Sequence, residues 1–255
     1  MAIASLAAEL DPPADAPVLV LGNSMGTTAS VWEPQLAQLR RHFRLLRYEH
    51  PGHGGSAAPP GPYTVAELGA AVLALLDSRG IGRARYAGIS LGGMVGMWLA
   101  ANAPDRIDAL AVCCTSAYLP PESFWAGRAQ RARAGGTASI AEQVVSRWFT
   151  PEFAAREPDV PASFVAGLGH VAAEGYAGCC EAIGAMDLRP SLPAITAPTL
   201  VIAGAEDPST PPWHGAVIAS AIPGARLAVI RGAAHLASVS APGQVGCTLL
   251  GFLLG

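Results

Sequence analysis

Apolar positions along the chain fall into two rhythms. Short apolar runs at 17–23 (PVLVLGN), 43–49 (FRLLRYE), 84–89 (ARYAGI), 107–114 (IDALAVCC), 198–204 (PTLVIAG) and 225–230 (ARLAVI) read as buried strands. Between them, 31–42, 64–80, 91–104, 212–222 and 241–253 carry apolar residues at helical spacing. The helix over 64–80 has its own punctuation: Thr64 and Glu67 form a capping box at its start, and Gly80 ends it. The helix over 91–104 stops at Pro104. Strands alternating with helices imply an α/β chain with a mostly parallel sheet and helices on both faces. The alternation breaks between about residues 120 and 190, where only helical patterns occur, punctuated by Pro151, Pro158 and Pro161. The expected organisation is therefore a core at 1–119 and 191–255, with a helical cap at 120–190 over the carboxyl edge of the sheet. That edge is where such sheets bind ligands.

Composition narrows the class. The chain has 255 residues, 51% of them hydrophobic and 14% charged, with a formal net charge of −3. It can bury a sizeable core, it is too apolar for disorder, and it has no electrostatic footprint for nucleic acid. The five cysteines, Cys113, Cys114, Cys179, Cys180 and Cys247, are odd in number and form no C-x-x-C, so buried reduced thiols in a cytoplasmic protein are expected. The apolar start lacks a basic region, and Glu9 and Asp11 follow early, so no signal peptide is expected. The charge-free stretch 87–104 is long enough to raise the question of a membrane span, but glycines, Ser90 and Asn102 interrupt it. No membrane partner is expected, and oligomeric state is not legible.

The chemistry concentrates on Gly88-Ile89-Ser90-Leu91-Gly92, a G-x-S-x-G sequence between a strand pattern and a helix pattern. That context marks a nucleophile elbow: a strained turn that exposes the serine oxygen, with glycine two residues to either side because side chains there would collide. A serine nucleophile needs a base, and the base needs an orienting carboxylate. Asp207 follows the strand at 198–204 and His235 follows the strand at 225–230, which puts both at the same sheet edge as Ser90. Glu206 is the competing acid. An oxyanion hole would take one N–H from Leu91 and a second from the GNSMG loop, assigned to Met25 with Ser24 as the competitor. His53, in the tight EHPGHGGS loop, is expected to hold that loop beside the site. No metal-ligand spacing and no nucleotide-binding glycine loop occurs, so no metal or cofactor is expected.

These residues carry a resemblance. Over nearly its whole length the chain resembles the α/β-hydrolases, and more narrowly the 3-oxoadipate enol-lactonases. The resemblance rests on LGNSMGTTASVWEPQ (21–35), LRYEHPGHGGS (46–56), GPYTVAELG (61–69), GISLGGMVGMWLA (88–100), SRWFTPEF (146–153), EGYAGCCEAIGAMDLRP (174–190) and AGAEDPSTPP (203–212). Glu49 stands where relatives usually carry Asp. The resemblance implies hydrolysis of a small anionic enol-lactone by Ser90, His235 and Asp207 through an acyl-enzyme, without a cofactor. Other readings that use the same triad are an esterase, a C–C hydrolase or a perhydrolase. A non-catalytic small-molecule receptor is the reading outside catalysis.

A substrate carboxylate asks for a cation, and the cap offers Arg128, Arg131, Arg133 and Arg147. Arg147 is the first choice and Arg128 the second. Trp148 and Trp32 are expected either to wall the pocket or to pack in the core, and Ser24 to lie beside the pocket.

Overall fold

The computed structural model describes residue 3, residues 5–12 and residues 15–255. Its sheet has seven strands: β1 (Ala8–Leu10), β2 (Val18–Gly22), β3 (Arg44–Tyr48), β4 (Ala84–Ile89), β5 (Ile107–Cys113), β6 (Thr199–Gly204) and β7 (Arg226–Ile230). They lie in the order β1-β3-β2-β4-β5-β6-β7, all parallel except β1, which runs antiparallel to β3. The central strands are covered on both faces, which is why Leu19, Val20 and Leu21 are all apolar and all fully buried. The strand β1 is not among the six that the apolar runs predict. It pairs Ala8 with Tyr48 and Leu10 with Leu46, so the open edge of β3 sets it rather than its own composition.

The helices of the sheet layers are α1 (Glu33–Leu39), α2 (Val65–Ser78) and α3 (Leu91–Asn102). The helix predicted over 31–42 is divided: a 3-10 turn at Ala29–Trp32 precedes α1, and Pro34 sits in the first turn of α1, where its missing N–H costs nothing. In α2 the capping box is complete, with Thr64 Oγ1 accepting from the Glu67 N–H at 3.1 Å and Glu67 Oε2 accepting from the Thr64 N–H at 2.9 Å. Its buried face, Val65, Leu68, Val72, Leu75 and Leu76, follows the helical period onto the sheet.

Between β5 and β6 come α4 (Glu122–Gly135), α5 (Ala141–Val145), α6 (Pro151–Arg156), α7 (Asp159–Gly169) and α8 (Ala173–Ala185). The two ends of this insertion are tied together: Tyr118 bridges Asp187, and the Leu188 N–H donates to the Ala117 carbonyl at 2.8 Å. The helix α8 packs on the 50s loop through glycines. A Cβ on Gly175 would come within 2.5 Å of the Pro51 carbonyl oxygen. After β6 the chain adds α9 (Pro212–Ala221), α10 (Ala237–Ser240) and α11 (Pro242–Leu253). Among the described residues no helix is long and apolar enough to cross a membrane. The cysteines are all unpaired, and four are buried, whereas Cys247 is exposed, contrary to the expectation that all are buried.

Candidate active site

The strand-to-helix turn between β4 and α3 bends as a nucleophile elbow requires. Ser90 has φ 53° and ψ −114°, a region that non-glycine residues rarely occupy. The flanking glycines are steric necessities. A Cβ on Gly88 would collide with the backbone of Gly92, and a Cβ on Gly92 would lie 2.5 Å from the carbonyl carbon and oxygen of Gly22. From below, a buried hydroxyl pair supports the turn. The Tyr86 hydroxyl donates to the Gly92 carbonyl at 2.8 Å and lies 2.7 Å from the Tyr48 hydroxyl. Because the obstacle to a Gly92 side chain is backbone on β2, it cannot rotate away. Gly92→Ala is therefore expected to cost about 2–3 kcal/mol of stability, read as a lower urea midpoint with an unchanged slope.

Asp207 lies three residues past β6, and His235 lies five past β7. His235 Nδ1 is 2.8 Å from Asp207 Oδ2. The carboxylate is otherwise saturated: Oδ1 accepts from the N–H groups of Ser209 at 2.7 Å and Thr210 at 3.0 Å, and Oδ2 accepts from the Thr210 hydroxyl at 2.7 Å. Burial pushes the Asp207 carboxyl up, but His235 and the Thr210 donors outweigh it and hold it at about 2. With Asp207 fixed as an acceptor, Nδ1 of His235 carries a proton and Nε2 is the ring's free acceptor. Glu206, the competing acid, makes no such contact: its N–H donates to the Ala233 carbonyl.

Ser90 and His235 line one cavity of about 320 Å³ at the carboxyl edge of the sheet. Ser24 and Met25 line it from the loop after β2, Arg128 from α4, and Arg147 and Trp148 from the turn between α5 and α6. Arg131 and Gln143 also reach it, whereas among the described residues no Asp or Glu does. The turn that carries Ser24 and Met25 is held by histidine. The Gly26 N–H donates to His53 Nε2 at 2.8 Å, and His53 Nδ1 donates to the Pro51 carbonyl at 2.9 Å. Burial lowers His53 to about 4, so the ring stays neutral and keeps this acceptor. The Gly26 and Thr27 N–H groups are therefore occupied, and those of Ser24 and Met25 have no protein acceptor among the described residues.

Several sequence expectations change here. Trp32 is not a pocket wall: it is fully buried, its indole N–H donates to the Gly22 carbonyl at 3.1 Å, and it does not line the cavity. Arg133 faces elsewhere and is neutralised by Glu174 at 2.8 Å and Glu181 at 2.5 Å. Arg147 lines the cavity but is exposed, and its Nη2 donates to the Pro208 carbonyl at 2.6 Å. Thr210 was missed. Its place three residues after Asp207 is the spacing at which an Asp side chain bonds the following turn, and that signal could have found it.

Glu49 ends the strand β3 region in a half-buried position, with Oε1 accepting from the Ala29 N–H at 2.9 Å and Oε2 3.4 Å from Asn23 Nδ2. Burial raises its carboxyl to about 7. A raised carboxyl in the folded state costs nothing below about 4.5 and destabilises increasingly as pH rises to about 7. The melting temperature of Glu49→Gln relative to the parent chain is therefore expected to rise between pH 5 and pH 8. A constant difference across that range would contradict the assignment.

Comparison with known proteins gives the family. A family model described as the alpha/beta hydrolase fold matches residues 17–242. The chain is 40% identical over 229 residues to 3-oxoadipate enol-lactonase 2 of Acinetobacter baylyi, covering 90% of this chain and 85% of that protein. It is 33% identical to 3-oxoadipate enol-lactonase 1 of the same organism, covering 93% and 89%. Among solved structures, the enol-lactonase from Burkholderia xenovorans superposes with a TM-score of 0.95 at 42% identity, covering 98% of this chain and 96% of that one.

Proposed function

The chain belongs to the alpha/beta hydrolase family, and on that premise we propose that it hydrolyses 3-oxoadipate enol-lactone to 3-oxoadipate, a step of aromatic catabolism through the β-ketoadipate route. One observation carries this reading: a cavity that holds Ser90 and His235 is also lined by Arg128, Arg131 and Arg147 and, among the described residues, by no carboxylate. Such a cavity favours a small ester that carries its own negative charge. The relatives named as enol-lactonases, similar over nearly the full chain, point to the same substrate.

The mechanism follows from the parts. Ser90 Oγ attacks the ring carbonyl, and His235 Nε2 takes its proton. Asp207 holds the imidazole in the productive tautomer and stabilises the imidazolium. The oxyanion is received by the N–H groups of Leu91, at the start of α3, and of Met25, with Ser24 as the neighbouring donor. The acyl carbon–oxygen bond then breaks, and the ring oxygen leaves as an enol that takes the proton from His235 and tautomerises to the ketone. Water, losing a proton to His235, hydrolyses the acyl-serine and restores the site. Each step is complete with the chain's own residues and water. The inserted segment 120–190 acts as the cap that supplies the cationic wall.

The test is a substrate panel. Freshly generated enol-lactone, p-nitrophenyl acetate and γ-butyrolactone are compared under identical conditions. The reading expects kcat/KM for the enol-lactone to exceed both neutral substrates by about a hundredfold or more, since the charged group is recognised by a fork-shaped cation. A neutral ester preferred over the enol-lactone would assign the site to esterase chemistry instead.

A further inference from the structure

We propose that Arg128 is the residue that binds the substrate carboxylate, and that Tyr176, which lies outside the cavity wall, is the positioning residue that aims it. The inference deepens the lactonase reading and takes from it only that the substrate is an anion.

The three cavity arginines are not equivalent. Arg131 and Arg147 are exposed, and each guanidinium makes one hydrogen bond, from Arg131 Nη1 to Gln143 Oε1 at 3.1 Å and from Arg147 Nη2 to the Pro208 carbonyl at 2.6 Å. Arg128 is half-buried and held by two residues, Tyr176 and Trp125. Its Nε donates to the Tyr176 hydroxyl at 2.8 Å, and Nη2 donates to the same oxygen. Its guanidinium carbon lies 5.5 Å from the Trp125 ring centre and 5.4 Å from the Tyr176 ring centre. Both distances are within cation–π range.

The clamp is itself fixed. Tyr176 is fully buried on α8. The Trp125 indole N–H donates to the Leu119 carbonyl at 2.8 Å. A Cβ on Gly184 would come within 2.9 Å of Trp125 Cβ, so glycine at that position of α8 lets α4 approach. Burial drives the Tyr176 hydroxyl well above its ordinary range, so it remains a neutral acceptor.

Two features make Arg128 a receptor for an anion. The bonds to Tyr176 use the Nε–Nη2 side of the guanidinium. The Nη1–Nη2 end is left open for two parallel N–H···O bonds to a carboxylate. Moreover, among the described residues no carboxylate lies within 4.0 Å of Arg128. Arg133, five residues along the same helix, has two. A partly desolvated guanidinium without a counter-ion, facing a cavity beside a nucleophilic serine, is completed by a ligand carboxylate.

The experiment is calorimetric titration of adipate into the Ser90→Ala chain, alone and with Tyr176→Phe, Arg128→Lys, Arg147→Ala or the Tyr176→Phe/Arg128→Lys pair. Arg128→Lys, which keeps the charge but loses the fork, is expected to weaken adipate binding by about tenfold or more. Tyr176→Phe is expected to weaken it by about three- to tenfold, and to add little in the Arg128→Lys background. In steady-state assays of Tyr176→Phe with Ser90 present, KM for the enol-lactone rises by a similar factor while kcat changes by less than about twofold. Circular dichroism melts confirm that each variant is folded.

Adipate affinity unchanged by both Arg128→Lys and Tyr176→Phe would overturn the proposal. So would a loss carried by Arg147→Ala alone, or a full Tyr176→Phe penalty without the Arg128 guanidinium. If these titrations come out as expected but the parent chain leaves the enol-lactone untouched, the anchor stands and only the lactonase reading falls.

Discussion

Ser90→Ala is expected to lower kcat for enol-lactone hydrolysis by about 10⁴- to 10⁶-fold, with folding intact. The size of the loss follows from the absence of a substitute. Cys113, Cys114, Cys179 and Cys180 are buried, and burial pushes all four thiols well up, Cys113 and Cys180 to about 12, so none supplies a thiolate. Ser24 lines the cavity, but its carbonyl is engaged with the Thr27 N–H and hydroxyl, and no histidine accepts from its Oγ among the described residues. Stability should change little, because alanine at φ 53° bears the same backbone strain as serine. Steady-state kinetics on both chains, with urea unfolding alongside, measures the two quantities. A variant that kept more than about a tenth of parental activity would remove Ser90 from the mechanism.

Asp207→Asn has the second largest expected effect, a fall in kcat of about 10³- to 10⁴-fold. The carboxylate accepts four hydrogen bonds, from Ser209 N–H, Thr210 N–H, the Thr210 hydroxyl and His235. An amide has one oxygen and one NH₂ group. If its oxygen stays with the two backbone N–H donors, the NH₂ faces His235 Nδ1 and stabilises the tautomer with the proton on Nε2. That tautomer cannot take a proton from Ser90. The parental carboxyl, held at about 2, stays ionised through the neutral range. Asp207 should therefore add no limb to a pH–rate profile between about pH 4 and pH 8. The affinity of the Ser90→Ala/Asp207→Asn chain for adipate should stay close to that of Ser90→Ala, since Asp207 does not line the cavity. A loss in KM instead of kcat would mean that Asp207 shapes the binding wall and does not orient the base.

Much of this arrangement is legible in the chain because local rules and the global fold agree. The G-x-S-x-G turn needs glycine at Gly88 and Gly92 for reasons of space, and those collisions are visible in the structure. Asp207 and His235 follow strand patterns, so their meeting at one sheet edge is a consequence of parallel topology. What could not be read depends on tertiary neighbours. The strand β1 exists because β3 offers an edge, and three residues of ordinary composition do not announce it. Trp32 is apolar at the start of a helix, and only the Gly22 carbonyl decides between wall and core. The sequence names the cap arginines without their partners, and the partners decide between them. Arg128 and Arg131, three residues apart, share a helix face, and Arg133 lies about 140° round the helix from Arg128, against Glu174 and Glu181.

The central claim is tested most directly by following the ultraviolet absorbance of freshly generated 3-oxoadipate enol-lactone with the parent chain and Ser90→Ala in parallel. The account predicts rapid loss of absorbance with the parent, at a kcat/KM above about 10⁴ M⁻¹s⁻¹, and decay at the spontaneous rate with the variant. Decay at the spontaneous rate with both chains, while a simple ester is still cleaved, would contradict it.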